Sequence, residues 1–476
     1  MLLTKNLGRL EFNQNIGRAD GTVDQVSRQP RERKGKPAPS LLKEKHIIVC
    51  TLSAALVFTA LYIRPGKSHV LLITTSSHSQ ASRSIMVQLT QIVLATAAFA
   101  GAASAAPKPP PSNVAANPWT GKDRYVVQSY GKKLDQTIAS FTAQNDTLNA
   151  ARTRTVAQKI STFTWVTTRD GLSLIPAAIK EARQQRKGRK KMIVGLVLYN
   201  LPDRDCSAGE SAGELSSANN GLEIYKKDFV DKYAKLVSEA KDLDFAIVLE
   251  PDSLGNAITN QGIPFCATAT PLYEEGIAYA ISKLQFPNVH LYIDAAHGGW
   301  LGWADNLKPT AQIFAKVVAM AKKLNPAAKI RGYATNVSNY NSFQAKVREN
   351  YTEYSPSWDE SHYASSLAPY LEAEGLPSNF IIDQGRVALP GAREEWGEWC
   401  NVDPAGFGAL PGSKQNNTNV DSIVWIKPGG ESDGRCGLTG APAAGAWFDE
   451  YVQMLVKNAD PPLEPTYLKK PKGPKV

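Results

Sequence analysis

Short apolar runs recur along the chain, each closed abruptly by polar residues. Phe245-Ala-Ile-Val-Leu249 ends in Glu250, Pro251, Asp252 and Ser253. An aliphatic run of this length, without helical spacing, suits a strand buried on both faces of a parallel sheet. Pro251 lacks a backbone donor and cannot continue a central strand, so Asp252 falls on the exit loop. The same grammar recurs at 161–165 before Thr167 and Arg169, and at 192–199 before Asn200-Leu-Pro-Asp-Arg-Asp-Cys206. It returns at 289–294 with His297 behind it, at 330–335 before Asn336, and at 380–383 before Gln384-Gly-Arg386. The last run, 422–427, leads into Pro-Gly-Gly-Glu-Ser-Asp433. Helical spacing fills the intervals, for example 224–240, 272–284 and 310–324. Strands alternating with helices predict βαβ units on a parallel sheet. Seven such units, each delivering polar groups at one end, predict an α/β barrel or near-barrel with its chemistry at the strands' carboxyl ends. A doubly wound open sheet is the alternative, and the absence of G-x-G-x-x-G after the first strand counts against its dinucleotide-binding form.

Charge changes the picture only at the start of the chain. Residues 1–85 hold 13 Lys/Arg against 5 Asp/Glu, which is +8 of the formal +10. The basic balance therefore belongs to the leader and does not call for a nucleic-acid surface on the folded part. Residues 1–85 read as an unpatterned basic extension, carrying one apolar stretch at 47–63 at the short limit for a membrane span. Met86 opens a second apolar segment that ends at Ala103-Ser-Ala105, a small-x-small cleavage pattern, so 86–105 is expected to be a secretory signal. The mature chain is then extracellular and free of the membrane. A signal-anchored membrane protein is the competing expectation. Residues 106–116 form a Pro-rich leader, 117–458 the single domain, and 459–476 a Pro/Lys-rich solvated tail.

Four cysteines, Cys206, Cys266, Cys400 and Cys436, lie in the domain, and Cys50 in the leader. With no C-x-x-C and six His in all, no zinc site or other metal or cofactor is called for. Four cysteines allow three disulfide connectivities, and pairing of sequence neighbours would staple loops over one face. Sequons stand at Asn145, Asn336, Asn350 and Asn416. Asp205, Asp294 and Asp433 stand at strand ends as Asp252 does, and a barrel would gather them at one mouth. Converging carboxylates raise each other's pKa, leaving one protonated near neutral pH as a general acid for a glycosidic oxygen. The bland alternative pairs them with Arg204, Arg386 and Lys427 as structural bridges. Trp165, Tyr199, Trp300, Trp303, Trp396 and Trp399 occupy the same loops, and indole faces suit pyranose rings. An acidic mouth without a P-loop disfavours a phosphate substrate.

Tyr199-Asn-Leu-Pro-Asp-Arg-Asp-Cys206, Glu250-Pro-Asp-Ser-Leu254, Asp294-Ala-Ala-His-Gly-Gly-Trp-Leu-Gly-Trp303, Asp383-Gln-Gly-Arg386 and Lys427-Pro-Gly-Gly-Glu-Ser-Asp433 together resemble glycoside hydrolase family six, in particular its fungal cellobiohydrolases. The ordered match covers about 117–458. The resemblance implies a distorted seven-stranded parallel α/β barrel, and inverting hydrolysis of β-1,4-glucan such as cellulose. It implies cellobiose release from non-reducing ends beneath covering loops, by a monomer. On it, Asp252 matches the general acid and Asp205 the acid that supports it and relays a proton from water. Tyr199 matches the tyrosine beside the distorted sugar, Ser211 the serine of the mobile loop, Asp433 a disputed base, and Asp294 a further acid. Trp165, His297, Trp300, Asn336, Trp399, Lys427 and Glu431 match sugar-binding positions. The resemblance also supports pairing Cys206 with Cys266 and Cys400 with Cys436. Thr167 departs from the family's usual Asp. Ala295-Ala296 replaces a Gly before His297. Only Gly434 and Arg435 separate Asp433 from Cys436, where tunnel-forming members are longer. That departure predicts a lower wall and keeps an endoglucanase as the alternative. No cellulose-binding module is recognised.

Overall fold

The computed structural model describes residues 116–468 except Lys187 and Arg189, together with a two-residue antiparallel ribbon, Ile63–Arg64 with Lys67–Ser68. The signal at 86–105, nearly all of the apolar stretch at 47–63 and the Pro-rich leader before 116 lie outside the described residues. No helix of the described residues is long and apolar enough to cross a membrane.

All seven expected strands form. They are β2 (Thr164–Val166), β3 (Met192–Leu198), β4 (Asp244–Leu249), β5 (Val289–Asp294), β6 (Gly332–Thr335), β7 (Phe380–Asp383) and β8 (Val420–Val424). Each pairs in parallel with its sequence neighbour from β2 to β8. An eighth strand that the patterning does not predict, β1 (Asp123–Arg124), pairs with the first residues of β3, while β2 pairs with its last. Two residues are too few to show a period. β3 and β4 are buried at every position, as a sheet covered on both faces requires.

The two faces of these strands feed separate cores. Ile193, Val197, Ala246, Val248, Tyr292, Ala334, Ile381 and Val424 pack inside the curled sheet with Trp119 and Phe163. Val194, Leu196, Leu198, Ile247, Leu249 and Ile293 face the helices outside. A side chain on Gly195 would enter the Phe163 ring, its Cβ 2.7 Å away, so the glycine is what admits Phe163 to the interior. Near the strands' amino ends a polar group closes the barrel. Arg331 grips Asp421 through Nε and a terminal nitrogen at 2.9 and 2.7 Å, the Tyr292 hydroxyl donates to Asp421 at 2.8 Å, and Trp119 Nε1 donates to Tyr292 at 3.2 Å.

The sheet curls into a distorted α/β barrel that is not sealed by a ladder between β8 and β1 or β2. Side chains bridge the seam instead: Thr162 Oγ1 donates to the Trp425 carbonyl and Trp165 Nε1 to that of Ile426, both at 2.9 Å. Asn117 Nδ2 reaches the Asp421 carbonyl at 2.7 Å. The expected last strand is displaced accordingly: it starts at Val420, and Trp425 to Lys427 continue as an arm whose carbonyls serve the seam.

The helices Pro264–Lys283 and Ala304–Leu324 begin well before the expected 272 and 310, running through Pro271 and Pro309. Each proline removes one backbone bond without ending its helix, because packing on the sheet outweighs that loss. The tail does not leave the domain at 458. Leu463 is buried, and Thr466 N–H donates to the Ala151 carbonyl at 2.9 Å. Gly195→Ala is expected to lower stability by about 1–3 kcal/mol through forced repacking of Phe163, read as a shift in the urea midpoint.

Candidate active site

The carboxyl ends of β3 to β6 are held in backbone conformations that non-glycine residues rarely adopt. Asp205, Glu250, Asp252, Ala296 and Asn336 have φ of 58°, 49°, 66°, 49° and 60°. Each such residue costs roughly 1–3 kcal/mol unless its surroundings hold it, and buried carboxylates do the holding. Asp294 Oδ2 accepts the Asp252 N–H at 2.9 Å and the Ala296 N–H at 3.1 Å, so one oxygen fixes two strained residues. Glu250 accepts from Asn200 and Leu201 N–H at 3.0 and 3.3 Å, tying the β4 exit to the β3 exit. Asp383 accepts from Gly385 at 3.0 Å, Lys427 at 2.9 Å and Ser338 at 3.3 Å.

These loops enclose a cavity of about 570 Å³. Trp165, Tyr199, Asp205, Ser211, Asp252, His297, Trp300, Trp303, Trp396, Trp399, Lys427 and Asp433 all line it, so most of the sequence-derived set converges. Three of that set lie elsewhere. Asp294 is buried beneath Asp252. Asn336 is buried, its Nδ2 donating to the carbonyls of Asn341 and Asp383 at 3.0 and 2.7 Å. With that nitrogen occupied, its sequon has no access to modification. Glu431 pairs with Lys133 at 2.7 Å.

The acids differ in charge state. Burial, the Asp294 carboxyl and then Asp205 push Asp252 well above the usual carboxylate range. Burial pushes Asp294 up to about 7 against the two N–H bonds it accepts, and its Oδ1 is without a partner. Burial also raises Asp205, while backbone N–H donors led by Ser211, at 2.6 Å, oppose the shift. Asp433 goes the other way. Burial alone would raise it, but Arg386 at 2.6 Å and Lys427 at 3.4 Å overcome that and hold it below the usual range. Its Oδ2 also accepts from Tyr340 at 3.2 Å and from Asn401 N–H at 3.0 Å. The structural-bridge alternative therefore describes Asp433 and not Asp252. Arg204 bridges no acid: it donates to the carbonyls of Ser211, Thr167 and Tyr199 and lies 4.1 Å over the Tyr199 ring.

The aromatic lining depends on glycines. A Cβ on Gly299 would stand 1.9 Å from the Trp396 ring, so the Gly298-Gly299 turn lets Trp396 lie against it. Trp300 Nε1 donates to Thr259 Oγ1 at 2.7 Å, which fixes its ring. His297 is placed by residues that patterning did not single out. Burial, then Arg393, drives its pKa down to about 3, so it is neutral. Asn341 Nδ2 lies 3.1 Å from His297 Nδ1 and donates to Glu360 Oε1 at 2.7 Å, while Arg393 donates to Asn341 Oδ1. The amide can then only donate to Nδ1, which leaves the imidazole proton on Nε2. Asn341, Glu360 and Arg393 come from three separate segments, and nothing local in the sequence marks them.

Two disulfides, Cys206–Cys266 and Cys400–Cys436, close separations of 60 and 36 residues around the cavity. By chain entropy each is worth about 4 kcal/mol.

The Glycosyl hydrolases family 6 description matches residues 119–459. The 1,4-beta-D-glucan cellobiohydrolase CEL6B of Podospora anserina is 61% identical over 372 residues, 77% of this chain and 88% of that protein. Endoglucanase-6B of Humicola insolens is 52% identical over 343 residues, 72% and 97% of the two. Among solved structures, CcCel6C from Coprinopsis cinerea, titled a glycoside hydrolase family 6 enzyme, superposes with a TM-score of 0.71 at 48% identity, covering 74% of this chain and all of that one. With the sheet, the strand-end acids and the aromatic cavity in agreement, the chain belongs to glycosyl hydrolase family 6.

Proposed function

We propose that this protein hydrolyses β-1,4-glucosidic bonds of cellulose and cello-oligosaccharides with inversion, releasing cellobiose from non-reducing ends. The observation that carries this reading is the Asp252 carboxyl lining a cavity of indoles, where burial and the neighbouring Asp294 and Asp205 carboxyls push its pKa well above the usual range and favour the protonated acid. In it, Asp252 gives its proton to the glycosidic oxygen as the bond breaks. A water attacks the anomeric carbon from the other face, and its proton leaves through Asp205, whose Oδ2 is aimed by the Ser211 N–H. Asp433, held anionic by two cations, is too weak a base for that water and serves to position Lys427. Tyr199 and Trp165, packed edge to face at 5.5 Å, shape the site of the distorted sugar. Export as a monomer through the signal at 86–105 fits the two disulfides.

A second reading, an endoglucanase, draws support from the two-residue bridge between Asp433 and Cys436. The loop after Asp205 does reach that bridge, but only through the Glu210 side chain, which lies against Gly434 and accepts one long hydrogen bond from Arg435 N–H at 3.4 Å. A roof held this lightly can admit an internal segment of chain. Product analysis on amorphous cellulose separates the readings: cellobiose dominating from the first minutes supports the first, and a fast drop in viscosity the second.

Asp252→Ala is expected to lower kcat on cello-oligosaccharides by roughly 10²–10⁴-fold. The loss should be much smaller on a glycoside whose leaving group needs no proton, and near-normal rates on both would remove Asp252 from the role. Asn341→Asp replaces the donor to His297 with a carboxylate that favours the imidazolium. KM should rise about tenfold, or about 1.4 kcal/mol, and acquire a pH dependence near neutrality. A merely structural role would leave KM flat with pH.

Stability should also depend on pH. Glu250, Asp294 and Glu360 are each pushed up to about 7 and Asp252 well above the usual range, so the native state holds protons on these four acids that the unfolded chain releases above about 4. Their contribution is complete at low pH and lost as pH rises toward 7. His297, driven down to about 3, works oppositely, but it is one group against four. Tm is therefore expected to fall between pH 5 and pH 7.

A further inference from the structure

A second groove, of about 440 Å³, adjoins the cavity and shares Gly397 and Trp399 with it. Its walls are the segment after Trp396 and the segment after Cys436, joined by the Cys400–Cys436 disulfide. It does not continue either end of the cavity. Trp165 and Lys427 mark one end, with Lys427 Nζ 5.8 Å from the Trp165 ring, and Trp300, Trp303 and Thr259 mark the other. The wall carrying Trp399 runs between these ends. At one side Trp396 meets Trp303 and His297, at 6.4 and 6.5 Å between ring centroids. At the other the Asn401 N–H donates to Asp433. A glucan chain lying in the cavity therefore passes the mouth of the groove sideways.

A lateral groove holds what projects from a chain, not more of the chain itself. Trp399, 37% exposed, offers an apolar face at the mouth. Further in, Glu398, Asp403 and Thr439 are exposed and able to bond hydroxyl groups. No cation lines the groove, so the two carboxylates favour a neutral sugar and repel an acidic one. We infer that the groove between Trp399 and Thr439 accepts a neutral glycosyl substituent on a β-1,4-glucan backbone, making branched glucan a substrate of the same site. This rests on the glucanase reading above and extends it.

The test compares an unbranched cello-oligosaccharide with one of equal backbone length bearing single α-1,6-xylosyl groups. Wild type should cleave both, and Thr439→Trp, which fills the groove from an exposed position, should lose tenfold or more in kcat/KM on the branched substrate alone. Equilibrium binding in an Asp252→Asn background should show the same contrast without turnover, whatever Thr439→Trp does to the rate. Wild type cleaving only the unbranched substrate, or Thr439→Trp changing neither ratio, overturns the groove and leaves the glucanase reading standing. Cleavage of neither substrate overturns that reading instead.

Discussion

A buried carboxylate that closes a strand and accepts backbone N–H groups from the adjoining loops is the interaction on which this site depends. Asp294, Glu250 and Asp383 each do this at the end of a different strand. Without such acceptors the left-handed residues at the mouth would relax, and Asp252 would no longer be aimed into the cavity. Burying an acid is costly unless it is bonded or protonated. Here the cost is met partly by N–H donors and partly by raised pKa values. The device that builds the mouth is therefore also the one that keeps a proton there.

That coupling separates the acids into two kinds. Asp252 is buried among other carboxyls, which outweigh what Lys427 would give its ionised form. Asp433, a few side chains away, is embraced by Arg386 and Lys427 and gains nothing from protonating. Two aspartates in one cavity thus differ in charge because of what stands beside them, which is how a single site offers both an acid and a fixed anion. His297 belongs to the same logic. Its neutral form is enforced by burial and Arg393, and its tautomer by an amide that is itself oriented from both sides.

The covering of the cleft is more lightly built than its floor. Three carboxylates lash the strand exits, whereas the roof rests on the contact between Glu210 and Arg435.

Patterning by itself determined the seven strands, their parallel order and the placing of Asp205, Asp252 and Asp433 at one mouth, because buried parallel strands need continuous apolar runs with abrupt polar ends. It missed Asp123–Arg124, too short for any period, and began two helices only after prolines that packing overrides. The family resemblance, not the pattern, set Asn336 and Glu431 among sugar-binding positions; local sequence cannot say whether an amide faces a cavity or the carbonyls behind it. Only the tertiary structure decided that Asp433 is held anionic by Arg386 and Lys427, that Asp294 lies beneath Asp252, and that Asn341, Glu360 and Arg393 orient His297. Those outcomes depend on distances between segments far apart in the chain, and charge state and proton position follow from such distances.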